Sequence, residues 1–158
     1  MESSKQLANR FREVILDGTW IANTNFKHQL AGLTWEEATT KVGALNTIAA
    51  LTFHINYYIA GVLNVFEGGA LEIRDKYSFD HPQIESEEEW QRLLGAMWRN
   101  AAQFADHIEN LPESKLEDFF VDKKYGTYRR NIEGMIEHSY YHLGQISFIK
   151  KILSTSAS

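Results

Sequence analysis

From Val42 to Phe66 the chain carries no Asp, Glu, Lys or Arg. This stretch narrows the possible folds more than any other feature of the sequence. Each large apolar side chain left in water forfeits about 1.5–3 kcal/mol, so so long an uncharged run has to be covered. It is long enough to span a bilayer. It is also interrupted by Asn46, Thr47, Thr52, His54, Asn56 and Asn64, and polar groups are costly at membrane depth. We read it as the most buried helix of a soluble bundle, with no membrane partner. The 158 residues suffice for one core without staples, and a single domain over residues 1–158 is expected.

Only two prolines occur, Pro82 and Pro112, so long helices are free to form around this one. Helix 1 is expected from Ser4 to Leu16, with Leu7, Phe11, Val14 and Ile15 on one face and Asp17-Gly18 at its end. An irregular stretch follows. Thr34-Trp35-Glu36-Glu37 is a capping box that starts a short helix stopping near Gly43. Asn46 is positioned to cap helix 2, which reaches Glu67 and stops at Gly68-Gly69. Ser86-Glu87-Glu88-Glu89 is a second capping box. It opens helix 3, whose inner residues run from Trp90 to Leu111. Thr127 is positioned to cap helix 4, which reaches about Leu153. Residues 154–158 are expected to be a frayed tail. No strand pattern and no repeat is visible.

The link between helices 2 and 3, Gly68 to Glu85, has about 18 residues. At roughly 3.3 Å per extended residue it can run back along a helix about 33 Å long. Such a crossover leaves helices 2 and 3 parallel, whereas an up-down-up-down bundle uses shorter loops. The fold class expected is therefore an all-α bundle with one long crossover.

Composition limits the chemistry. The chain has no Cys, which excludes disulfides, thiolate-ligated zinc, iron–sulfur clusters and a thiol nucleophile of its own. A net charge of −5 provides no basic footprint for nucleic acid. The N-terminal MESSKQLANR lacks the basic-then-apolar pattern of a signal peptide, and a cytoplasmic location is expected. Motifs for di-iron sites, zincins, P-loops and serine hydrolases are absent.

Six histidines remain. His138 and His142 lie four apart in helix 4, one turn apart on one face. Two neutral imidazoles at that spacing can chelate a divalent cation. The spacing equally suits two part-buried histidines bonded to backbone or water. His54 falls mid-way along the uncharged helix, where a buried ring without a partner costs about 1–3 kcal/mol. It is either a hydrogen-bonded core histidine or a third ligand. Three imidazoles would leave the +2 charge on the metal and at least one open position, the layout of a catalytic site. His28, His81 and His107 read as surface or hydrogen-bonded residues. Tyr57, Tyr58, Tyr140 and Tyr141 flank the three histidines and read chiefly as packing. Arg129 and Arg130 sit at a helix start where the dipole disfavours cations; a solvated helix end is the expected reading, with a bound anion the sharper one.

The segments LTFHINYYIAG around His54 and IEHSYYHLGQI around His138 and His142 resemble the DinB/YfiT-like superfamily of metal-binding helical bundles. LTWEEATTKVGALNTIAAL and the YGT before helix 4 resemble it too, so that the likeness covers nearly the whole chain. The resemblance implies a four-helix bundle of up-down-down-up order. It implies a divalent metal, zinc or nickel, held by His54, His138 and His142. It further implies a metal-dependent enzyme acting on a small molecule, either a low-molecular-weight-thiol-dependent S-transferase or a hydrolase, and dimers are common among similar proteins. A non-enzymatic bundle, stabilised by its metal and acting through association with itself or a partner, is the alternative. No general base is assigned; Glu137 neighbours His138 in sequence but points about 100° away around the helix.

Overall fold

The computed structural model describes residues 1–156. Among them the fold is mostly helical and all-α: six α-helices, short turns of other helix types, and one isolated bridge between Phe119 and Thr127 in place of any strand. The α-helices are α1 (Ser4–Arg12), α2 (Phe26–Leu30), α3 (Trp35–Thr39), α4 (Ile48–Phe66), α5 (Glu87–Glu109) and α6 (Tyr128–Ser156).

Local chemistry explains most ends. Ser3 and Gln6 form a reciprocal capping box at α1, and Thr34 and Glu37 form the expected one at α3. Beyond α1 the chain continues as a wider π turn over Glu13–Asp17. Ser86 accepts the amide of Glu89, but the Glu89 carboxylate turns to the amide of Glu85, so the second box is only half closed. The cap of α4 is Thr47, not Asn46: the Thr47 hydroxyl reaches the amide of Ala50 at 3.1 Å. Thr127 caps α6 through the amide of Arg130. The short α3 stops at Thr39, ahead of Gly43. Helix α2 was not foreseen. Asn25 caps it, and it exists to bury Phe26 and Leu30. Helix α6 runs on through Ser156, past the Leu153 end read from the sequence; of the tail expected over 154–158, residues 157 and 158 lie outside the described residues.

The core is shared by α1, α4, α5 and α6, with Trp90, Phe11, Phe26, Phe104 and Phe120 its largest sealed side chains. Helix α4 has the length and mean hydropathy (1.3) of a membrane span, yet 56% of that stretch is buried within the fold. It behaves as a core helix. Phe11 of α1 meets Phe104 of α5 edge to face at 4.8 Å. Ser4 donates to the carbonyl of Leu111, and Arg12 bridges Asp106 and Glu109. Between α4 and α5, Asn100 donates to Asn56, and Phe66 packs on Phe104. Between α4 and α6, His54 meets His142, Tyr58 meets His138, and Phe66 meets Tyr128. Arg129 of α6 donates to the carbonyl of Glu2, just before α1.

The α4–α5 link lies over α4. Gly61 makes this possible: a Cβ there would stand 2.1 Å from Ile73 Cγ2. Held by that contact and by the Tyr57 hydroxyl on the backbone of Arg74, residues 73–79 cover the middle of α4.

Candidate metal centre

His54, on the inner face of α4, looks across to α6, where His138 and His142 stand one turn apart. The three histidines expected from the sequence therefore come together. One ring nitrogen from each lies within 4.8 Å of the others. His54 Nε2 is 3.1 Å from His138 Nε2, which is 2.9 Å from His142 Nε2. Nitrogens bound to one tetrahedral zinc at about 2.0–2.1 Å would lie roughly 3.3 Å apart, a few tenths more than these separations.

Hydrogen bonds on the far side of two rings decide which nitrogens converge. His54 Nδ1 faces the carbonyl of Ser78 at 3.2 Å. A carbonyl only accepts, so Nδ1 carries the hydrogen and Nε2 keeps a lone pair. His142 Nδ1 donates to Gln145 Oε1 at 2.7 Å, with the same consequence. His138 Nε2 has at most one hydrogen to offer these two lone pairs. The cluster thus has more acceptors than donors aimed at one point, an imbalance that a cation resolves. Partners of this kind fix the tautomer and orientation of metal-ligating histidines.

The environment keeps the rings neutral. His54 and His142 are 6% exposed. Burial foremost, then the neighbouring His142 and His54, takes the His138 pKa down to about 4. Burial also lowers His54, with help from His142 and against the Ser78 carbonyl and Asp75, and it lowers His142 against the bond to Gln145. Neutral imidazoles are the form that binds a metal.

Aromatic rings surround the cluster. Phe79 stacks on His54 at 4.0 Å, Tyr58 stands edge-on to both His54 and His138, and Tyr141 stands edge-on to His142. The Tyr58 hydroxyl donates to Asp75 at 2.8 Å. Burial first, then that bond, raises the Tyr58 pKa, so it remains a donor. His138 also lines an open cleft of about 720 Å³, whose other walls include Tyr58, Arg74, Asp75, Phe120 and Arg130.

The remaining sequence candidates stand outside the imidazole cluster. His28 bonds Thr24, His81 turns to the carbonyl of Pro82, and His107 stands 3.9 Å from Glu67. Tyr140 lies in the field of Glu13 and Arg10. Arg129 is tied to Glu117, and Arg130 pairs with Glu137 at 3.1 Å. Sequence reasoning missed Ser78, Phe79 and Asp75, which sit in a link without periodicity. Gln145 is visible in the sequence on the face of His138 and His142, three residues past His142, but its bond to the His142 ring is not.

Fold and site together define a helical protein with a three-imidazole cluster at the edge of a cleft. The family model of the DinB superfamily matches residues 21–146, a span that holds all three histidines. The chain belongs to the DinB superfamily. Comparison with curated proteins and with solved structures yields no match.

Proposed function

We propose that the chain is a divalent-metal-dependent enzyme of the DinB superfamily, with His54, His138 and His142 as ligands of zinc or nickel. The observation that carries this is the surplus of lone pairs: two Nε2 atoms, each fixed by a bond on the far side of its ring, aimed at a third. Three neutral ligands keep the full +2 charge on the ion and leave a position open. An ion held there supplies a Lewis acid that lowers the pKa of a thiol or a water.

The chain's own residues do the rest. Ser78 and Gln145 hold two rings in place, Phe79 covers His54, and the cleft admits a small molecule beside His138. The favoured reaction is thiol-dependent S-transfer. The chain has no sulfur nucleophile, so a low-molecular-weight thiol would bring one, and a metal-activated thiol needs no separate base. Glu137 stands exposed at the surface beside Arg130 and does not line the cleft, which agrees with leaving it unassigned. Hydrolysis is a second reading, favoured by Asp75: it lines the same cleft and is held in place by Tyr58, the position of a group able to accept a proton from water.

The same proposal takes the fold as a four-helix bundle of up-down-down-up order. The order of the contacts supports it. Residues 56 and 66 of α4 meet 100 and 104 of α5 in ascending order, as parallel helices do. Residues 54, 58 and 66 of α4 meet 142, 138 and 128 of α6 in descending order. A cytoplasmic location, a small-molecule substrate and a homodimer complete the reading.

The test is elemental analysis of the purified protein and of His142→Ala, followed by turnover with thiols and electrophiles. Near-stoichiometric zinc or nickel, lost in the variant, with metal-dependent thiol consumption is the expected result. Metal without thiol turnover, but with ester or amide cleavage abolished by Asp75→Asn, selects the hydrolase. Metal with neither activity selects the non-enzymatic bundle.

A further inference from the structure

Gly134 lies inside α6, one turn before His138, and both line the cleft. Glycine is the least favourable residue for a helix interior after proline. At Gly134 neither packing nor backbone asks for it. A Cβ added there would meet nothing within 4 Å, and its φ is not positive. Gly61 differs, because Ile73 fills the place of its side chain. The open space at Gly134 adjoins the cleft that His138 also lines.

The walls on either side carry charge. Arg74 comes from the α4–α5 link and Arg130 from the first turn of α6. The Arg74 guanidinium meets no hydrogen-bond or ion partner among the described residues. Arg130 pairs with Glu137, but both side chains are about 60% exposed, and such pairs contribute little and exchange readily. The acid on the cleft wall is Asp75, whose Oδ1 already accepts from Tyr58. The apolar part of the cleft lining is Leu71 and Ile73, both part-exposed, with Val62, Phe120 and Met135 nearly sealed behind it, and Tyr58, Tyr125 and Asn131 add polar atoms.

We propose that this cleft binds a small amphipathic carboxylate that lies across the bare backbone of Gly134, its apolar body against Leu71 and Ile73 and its acid held by Arg74 and Arg130. The end remote from the acid is brought to His138; that placement rests on the metal-centre reading above, whereas recognition of the acid does not. Arginine suits the task because its planar fork meets a carboxylate through two parallel hydrogen bonds. The proposal makes Gly134 a specificity-determining residue: any side chain there would stand where the ligand lies.

The experiment is calorimetric titration with hexanoate and with its uncharged counterpart hexanamide, using metal-free and zinc-loaded protein. Hexanoate is expected to bind both forms at least about tenfold more tightly than hexanamide, as a charge-assisted pair predicts. Arg74→Gln should remove most of that preference. Gly134→Ala should raise the melting temperature and yet weaken hexanoate several-fold, and Gly134→Leu should abolish binding. Because Gly134→Ala is the more stable protein, its weaker binding cannot be a folding defect. Gly95→Ala is the control: it lies mid-way along α5 outside the cleft, its added Cβ meets only the mobile end of Arg99, and it should raise the melting temperature and leave hexanoate binding unchanged. Equal binding of acid and amide, or unchanged hexanoate binding in both Gly134 variants, overturns the proposal. The two readings fail separately. Protein that holds no zinc but still prefers the acid in the metal-free state sinks the metal centre alone. Zinc-binding protein with no preference in either state sinks the carboxylate site alone.

Discussion

The α1–α5 seam and the α4–α6 seam are built from the same helical spacing of apolar residues, and they end in opposite conditions. On the first, Leu7, Phe11, Ala101, Phe104 and Ile108 are fully sealed, and polar groups stay at its edges, as with Arg12 on Asp106 and Glu109. On the second, Thr52, Ser139, His54 and His142 are buried among the apolar residues. The two hydroxyls donate to carbonyls of their own helices, Thr52 to Ile48 and Ser139 to Met135. They therefore make no claim on the imidazoles beside them. The first seam is apolar packing throughout. The second gives part of the core to a polar cluster whose ring nitrogens converge inward.

Breaking the sealed seam should have the largest effect. Phe104→Ala removes a ring with 0% exposure and is expected to cost about 3–5 kcal/mol in chemical denaturation, equally with and without metal. Breaking the polar seam should cost stability only when metal is present. For His142→Ala we expect zinc binding to be lost, and with it the roughly 2.7–4.1 kcal/mol that an ion at 100–1,000 times its Kd contributes. The metal-free protein should be affected far less. Gln145→Ala leaves the ligand in place and frees its ring to turn, so metal affinity should fall about 10–100-fold, read by competition with a chromophoric chelator.

Acid should separate the seams as well. The folded pKa of His138 is about 4, against the ordinary 6.5, and His54 and His142 shift the same way. Below pH 6.5 the unfolded chain binds protons that the folded chain does not. Melting temperatures of the metal-free protein should therefore fall as the pH drops from 6.5 toward 4. Phe104→Ala should keep that slope and His138→Gln should flatten it. The smallest effect lies outside both seams: Gly95→Ala in α5 should add about 0.8–1.0 kcal/mol from helix propensity alone.

The sequence made the long helices legible because α4, α5 and α6 each repeat apolar residues over many turns. It made the site partly legible. The spacing of His138 and His142 and the place of His54 in an uncharged run mark them as candidates, and the family resemblance joins the three into one site. What stayed hidden lacks a period. Helix α2 presents only Phe26 and Leu30, one turn of pattern, which no spacing argument separates from a loop. Ser78 contributes a backbone carbonyl, which any residue type carries. Phe79 and Asp75 reach the cluster only because Ile73 seats on Gly61, a contact between segments that no local pattern announces. The exact cap of α4 turned on which of two adjacent capping residues, Asn46 or Thr47, took the amide of Ala50.

Ser78, Phe79, Asp75 and Arg74 share one property: all sit on the segment that joins α4 to α5, and none sits on a helix of the core. The imidazoles belong to the framework, and part of their cover belongs to a connection. Substitutions on this segment can change one wall of the cleft while the three imidazoles and the helices that carry them stay in place. One wall of the cleft can therefore be exchanged as a contiguous piece without touching the scaffold.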